Sequence, residues 1–96
     1  MSAYVVLTLD ETTDQTQLDE YARLAPAAAE GRDISFLALY GRHEVLEGPS
    51  IEGAVILKFP TVDEAKEWYD SPAYQNAAAH RHAGAKYRAF IVEGLD

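Results

Sequence analysis

The chain has 96 residues, enough for one domain with one modest core. Sixteen acidic residues against eight basic ones set the net charge at −8, a surface that repels phosphate backbones and anionic lipid, so neither nucleic acid nor membrane is an expected partner. The absence of cysteine excludes a disulfide scaffold, a thiol nucleophile and a Cys-ligated metal. No apolar run approaches the ~20 residues of a membrane span, and no signal-peptide pattern opens the chain, so a cytoplasmic protein is expected.

A first strand is predicted over 4–9. Val5, Leu7 and Leu9 point one way and Tyr4, Val6 and Thr8 the other, both sets largely apolar. Asp14 is then a good N-cap, with Gln17 placed to complete a capping box. The first helix is expected to run to about Glu30, with Leu18, Tyr21, Ala25 and Ala28 as its inner stripe. Pro26 predicts a kink or break near residues 23–25, and Gly31 a stop. The second strand is expected over 34–40, with Ile34, Phe36, Ala38 and Tyr40 alternating against Leu37 and Leu39. Residues 42–47 read as a bent extended segment leading to a turn at Gly48-Pro49-Ser50.

The third strand, 53–59, ends at Pro60, and a helix start follows at once. Thr61 and Glu64 form a capping box, and Val62, Ala65, Trp68 and Tyr69 share a face. Ser71-Pro72 closes that helix near Asp70 and opens a shorter one to about His82, with Gly84 as its end. A last strand covers 87–92. The order β-α-β-β-α-β is the ferredoxin-like pattern, an α+β fold with helices on one face of a four-stranded antiparallel sheet. The opposite face is apolar yet has no helix to cover it, and a second copy of the chain packed sheet to sheet is the economical cover.

Several stretches together resemble a known family. They are GRHEVLEG at 41–48, KFP at 58–60 with Ala65 and Trp68-Tyr69 after it, SPAYQ at 71–75 followed by Arg81, and the closing IVEG at 91–94. The chain is similar in these to the domain-of-unknown-function 1330 family, part of the dimeric α/β-barrel group of ferredoxin-like proteins. The resemblance spans nearly the whole chain and implies a homodimer with sheets facing each other. It implies no reaction. Where the family usually has a glycine pair before the EVLEG stretch, this chain has Arg42-His43.

Two groups of residues could carry chemistry. His43, with Glu44 beside it, has the side-chain chemistry of an acid/base group oriented by a carboxylate; the structural reading is a solvated hairpin end. Tyr74 and Arg81 lie seven apart on the short helix and share a face, so they suit an anionic small molecule. The structural reading there is an Arg paired with Glu67 or Asp70 and a Tyr in the core. Tyr40, at the end of the second strand, joins them as a substrate-binding candidate. His80 and His82 are two apart on a helix and do not converge, so no metal is expected, and no cofactor motif is present. Two functions stay open: a small-molecule site between sheet and helices in which His43 and Glu44 catalyse and Tyr40, Tyr74 and Arg81 anchor, or a dimer that binds a ligand or a protein without turnover. Trp68 and Tyr69 read as core aromatics, with a pocket wall as the alternative.

Overall fold

The computed structural model describes residues 1–96. The elements are β1 (Ala3–Thr12), α1 (Gln15–Ala29), β2 (Ser35–Leu39), β3 (Gly53–Phe59), α2 (Val62–Asp70), α3 (Pro72–Gly84) and β4 (Ala85–Glu93). The strands form one antiparallel sheet in the order β2-β3-β1-β4, the ferredoxin-like arrangement expected above. The two hairpin-like neighbours in sequence, β2 and β3, pair directly, and β3 and β1 take the central places.

Alternation sorts the sheet into two faces. Ala3, Val5, Leu7 and Leu9 of β1 are buried toward the helices, beside Val55, Leu57 and Phe59 of β3. The intervening residues form the other face. There Tyr4 pairs with Val92, and Val6 lies between Ile56 and Phe90. No element of the chain covers that face, and Phe90 and Val92 stay about half exposed (52% and 48%). An uncovered aromatic and aliphatic patch in the middle of a sheet is unusual for a chain that stays single.

The helix starts follow their caps. Thr61 Oγ1 accepts from the Glu64 N–H at 3.1 Å, and Ser71 Oγ accepts from the Tyr74 N–H at 3.2 Å. Ser71 thus ends α2 and caps α3, with Pro72 at the first helical position. Asp14 caps α1 by accepting from the Thr16 N–H at 3.1 Å. The reciprocal half of the expected box is absent. The Asp14 N–H donates instead to the Gly84 carbonyl at 2.9 Å, which leaves the Gln17 amide to meet His80 Nδ1 at 2.7 Å.

Three expectations are corrected here. The break at Pro26 does not occur: α1 runs unbroken through it to Ala29. Pro26 stands in the last turn, where it removes only one backbone hydrogen bond and little helix follows. Strict alternation in β2 also fails. Phe36 faces Leu57, Ala38 faces Ile56 and Leu39 faces Val55, so Leu37 is the extra residue of a β-bulge. Phe36 and Leu39 therefore share the helix-side face, contrary to the period-two reading. Finally, the strand ends at Leu39, because Tyr40 turns into the left-handed region at φ 55°.

The end of α3 meets the start of α1 without room for a side chain. A Cβ at Gly84 would stand 2.8 Å from the Asp14 carbonyl oxygen and 2.8 Å from Gln17 Cβ. Gly84→Ala must push these elements apart and weaken the two hydrogen bonds that Thr13 and Asp14 donate to the Gly84 carbonyl. The expected cost is about 1–3 kcal/mol, read as a lower urea midpoint at unchanged m-value.

Candidate functional site

The inner layer is unevenly filled. On one side, α3 presents the fully buried Ala77 and Ala78, small enough for close packing, while α2 inserts Trp68 beside Phe59 with ring centroids 5.3 Å apart. On the other side, α1 leans chiefly along α3 rather than on the sheet. It stands off β2 and β3 and leaves a cavity of about 820 Å³ between them. Its lining is mostly apolar and includes Leu18, Ala25, Ile34, Phe36, Leu39 and Val55. Phe36 and Leu39, large apolar residues with 59% and 60% of their surface uncovered, are exposed into this space. The volume falls in the range of sites that enclose small organic molecules.

Four tyrosines supply much of the polarity of the walls. The hydroxyls of Tyr21 and Tyr74 lie 2.8 Å apart, and those of Tyr40 and Tyr87 lie 2.7 Å apart. All four residues line the cavity. Each comes from a different element or its end: α1, α3, the residue after β2, and β4. Tyr40 reaches Tyr87 because Gly53 lies in between. A Cβ at Gly53 would stand 2.8 Å from Tyr40 Cδ1, so only glycine lets the ring lie across β3. The left-handed backbone at Tyr40 sets that direction.

In each pair one hydroxyl donates and the other accepts, so one O–H proton per pair is left for a further acceptor. Burial raises the ionisation of Tyr21 well above the ordinary tyrosine range, with the Tyr74 phenol adding to the effect. Burial also raises Tyr87 and Tyr40. For Tyr87 the hydrogen bond with Tyr40 adds to the rise, and for Tyr40 the same bond opposes it. These three phenols are thus proton-bearing donors near neutrality, not bases.

Behind them stands Arg81, only 2% exposed. Its guanidinium lies 5.0 Å from the Tyr87 ring centroid and 5.9 Å from that of Tyr21. Nε and Nη2 have no hydrogen-bond partner, and no carboxylate forms an ion pair with the group. The structural alternative from the sequence, a pairing with Glu67 or Asp70, is not what forms: Glu67 meets Arg32 at 3.7 Å. The ring faces offset part of the desolvation of the cation. Three exposed carboxylates also line the cavity: Asp19 accepts from Gln15 at 2.9 Å and Glu52 from Thr12 at 2.6 Å, and Glu30 is the third.

Of the residues singled out in sequence, Tyr40 and Tyr74 meet at this cavity and Arg81 lies directly behind its wall. His43 and Glu44 do not line it. They belong to the irregular loop between β2 and β3, where His43 Nε2 lies 3.1 Å from the Ile51 carbonyl. That loop leaves the sheet at Tyr40 and returns at Glu52, both on the cavity. Tyr21, Tyr87 and Trp68 complete the site. The sequence pointed to Tyr21 as part of the inner stripe of α1 and to Trp68 as a core aromatic with a pocket wall as its alternative, while Tyr87 was only a strand residue. No group of three or more His, Asp or Glu side chains is arranged to hold a metal.

The chain belongs to the family described as Domain of unknown function (DUF1330), whose model matches residues 2–95. No curated protein sequence is similar to it. Among solved structures, it is similar to a protein of unknown function from Rhodopseudomonas palustris, with TM-score 0.77 and 19% identity over 99% of this chain and 83% of that one. A dimeric ferredoxin-like protein of unknown function from a Jannaschia species follows at TM-score 0.76 and 12% identity, over 98% of this chain and 100% of that one. SnoaB, a cofactor-independent oxygenase from Streptomyces nogalater, aligns at TM-score 0.62 and 10% identity over 99% of this chain and 94% of that one. At these identities the likeness is one of fold.

The tyrosine environment has a consequence for alkaline behaviour. Tyr21, Tyr40 and Tyr87 have raised folded-state ionisation, so the stability tied to their protonated form is full below the unfolded value of about 10 and is lost as pH rises past it. In an ultraviolet titration, only part of the six tyrosines should ionise reversibly near that value. The rest should titrate together with loss of the circular dichroism signal; six phenols titrating alike in the folded chain would contradict the assignment.

Proposed function

We propose that this protein is a small-molecule-binding homodimer, with two copies paired through the open sheet face and each protomer holding an aromatic or anionic metabolite between its sheet and α1. Tyr40 and Tyr74 contact the ligand, and Arg81 supplies positive charge behind them. The observation that carries this reading is the cavity itself, about 820 Å³ of mostly apolar space with two hydroxyl pairs converging on it. The cavity is partly open, and large apolar residues such as Phe36 and Leu39 stay uncovered along it, a surface that an apolar ligand would bury. The pairing is supported by the uncovered apolar face, with Val6, Ile56 and Phe90 at its middle, and by the dimeric description of the Jannaschia protein.

Binding without turnover is the reading favoured by the position of His43, outside the cavity and against the Ile51 carbonyl. An acid/base role for His43, oriented by Glu44, is the second reading. In its favour, the loop that carries both begins and ends at the cavity. Turnover of a bound compound that falls ~100-fold or more in His43→Gln, at unchanged affinity, would establish catalysis.

Trp68 is the only tryptophan and lines the cavity, so it reports occupancy directly. A library of small aromatic compounds screened by Trp68 fluorescence should yield ligands that quench or shift its emission saturably. Ala25→Phe, which fills the cavity from α1, should abolish those responses while raising or preserving thermal stability. Hits that bind the Ala25→Phe variant equally well would place them elsewhere and contradict the cavity as the site.

A further inference from the structure

The most unusual group in the molecule is the Arg81 guanidinium. A buried cation with unpartnered Nε and Nη2 and no ion pair is costly, and replacing such a charge by an apolar side chain commonly leaves a protein as stable or more so. Its field falls on the tyrosine wall. Tyr87 and Tyr21, whose rings it faces, each belong to a hydroxyl pair with a proton to spare. A positive charge behind two O–H donors makes the tyrosine wall complementary to one negative oxygen. Three exposed carboxylates elsewhere in the lining, Asp19, Glu30 and Glu52, disfavour a second negative group.

We propose that the cavity is selective for monoanions with an apolar, planar body: an aromatic carboxylate, phenolate or enolate whose single charged oxygen lies against the tyrosine wall, where Tyr21 and Tyr74 form the buried hydroxyl pair and Tyr40 and Tyr87 the exposed one, with Arg81 behind. This rests on the cavity reading above and adds Tyr21 and Tyr87 as ligand contacts. The lining carboxylates make polyanions such as nucleotides and polyphosphates poor ligands. A cationic ligand meets the Arg81 charge behind the tyrosine wall. Arg81 is not part of the cavity lining and acts through the phenols whose rings it faces.

Four probes on one body test this by calorimetry: 2-naphthoate, its neutral amide, 2-naphthylmethylamine and naphthalene-2,6-dicarboxylate. Naphthoate should bind on the order of tenfold or more tightly than the amide, a charged hydrogen-bond difference. The amine should bind most weakly, and the dicarboxylate more weakly than naphthoate. Arg81→Met should remove the preference for naphthoate, leave amide affinity within about twofold, and keep or raise the melting temperature. Tyr87→Phe should weaken naphthoate and spare the amide. Equal binding of all four probes, or tightest binding of the amine, would overturn the charge selectivity while leaving the cavity reading intact. No binding by any probe would contradict the cavity reading and the selectivity with it. If Arg81→Met does not fold, the four affinities of the unaltered chain and of Tyr87→Phe decide the question.

Discussion

One constraint organises this small protein: its central strand is apolar on both sides, while the chain has helices for only one. β1 sends Ala3, Val5, Leu7 and Leu9 inward and Tyr4 and Val6 outward, and its neighbours continue both patterns with Leu57 and Phe59 inside and Ile56, Phe90 and Val92 outside. Hydrophobic burial is non-directional and demands cover for each face. α2 and α3 cover part of the inner face closely, through Trp68, Tyr74 and two alanines. Leaning on α3, α1 leaves the β2 side of that face open as a cavity. The outer face stays open altogether.

Within the inner layer, chemistry follows from what burial does to polar groups. A phenol removed from water keeps its proton, so Tyr21, Tyr40 and Tyr87 are donors across the physiological range. Arg81 keeps its charge in surroundings with no carboxylate, held against two ring faces. Protonated donors around a buried cation can receive and steady a negative oxygen but cannot take up a proton. His43 and Glu44, the acid/base candidates from the sequence, stand on the loop outside the cavity lining.

Much of this was readable from local pattern. The caps at Thr61 and Ser71, the strand alternation in β1 and β3, and the Tyr74–Arg81 spacing on α3 are short-range signals that form, although at Thr61 only the half of the expected box in which Oγ1 accepts from the Glu64 N–H is made. The misreadings arose where long-range partners overrode local rules. Gln17 is drawn from its capping box by His80, across 63 residues of chain. The bulge at Leu37 is set by pairing with β3, and the turn at Tyr40 by the space above Gly53. The hydroxyl pairs join residues 53 and 47 apart, so no window of sequence contains them. A site between sheet and helices could be expected from the sequence, but the cavity's size and most of its lining could not, because they depend on how far α1 stands from the sheet.

If a second copy closes the open sheet face, sedimentation velocity on the unaltered chain, carried down through micromolar concentrations, should give a single boundary at about twice the 10.6 kDa chain mass. A boundary at the mass of one chain, folded and with that face in water, would contradict that closure.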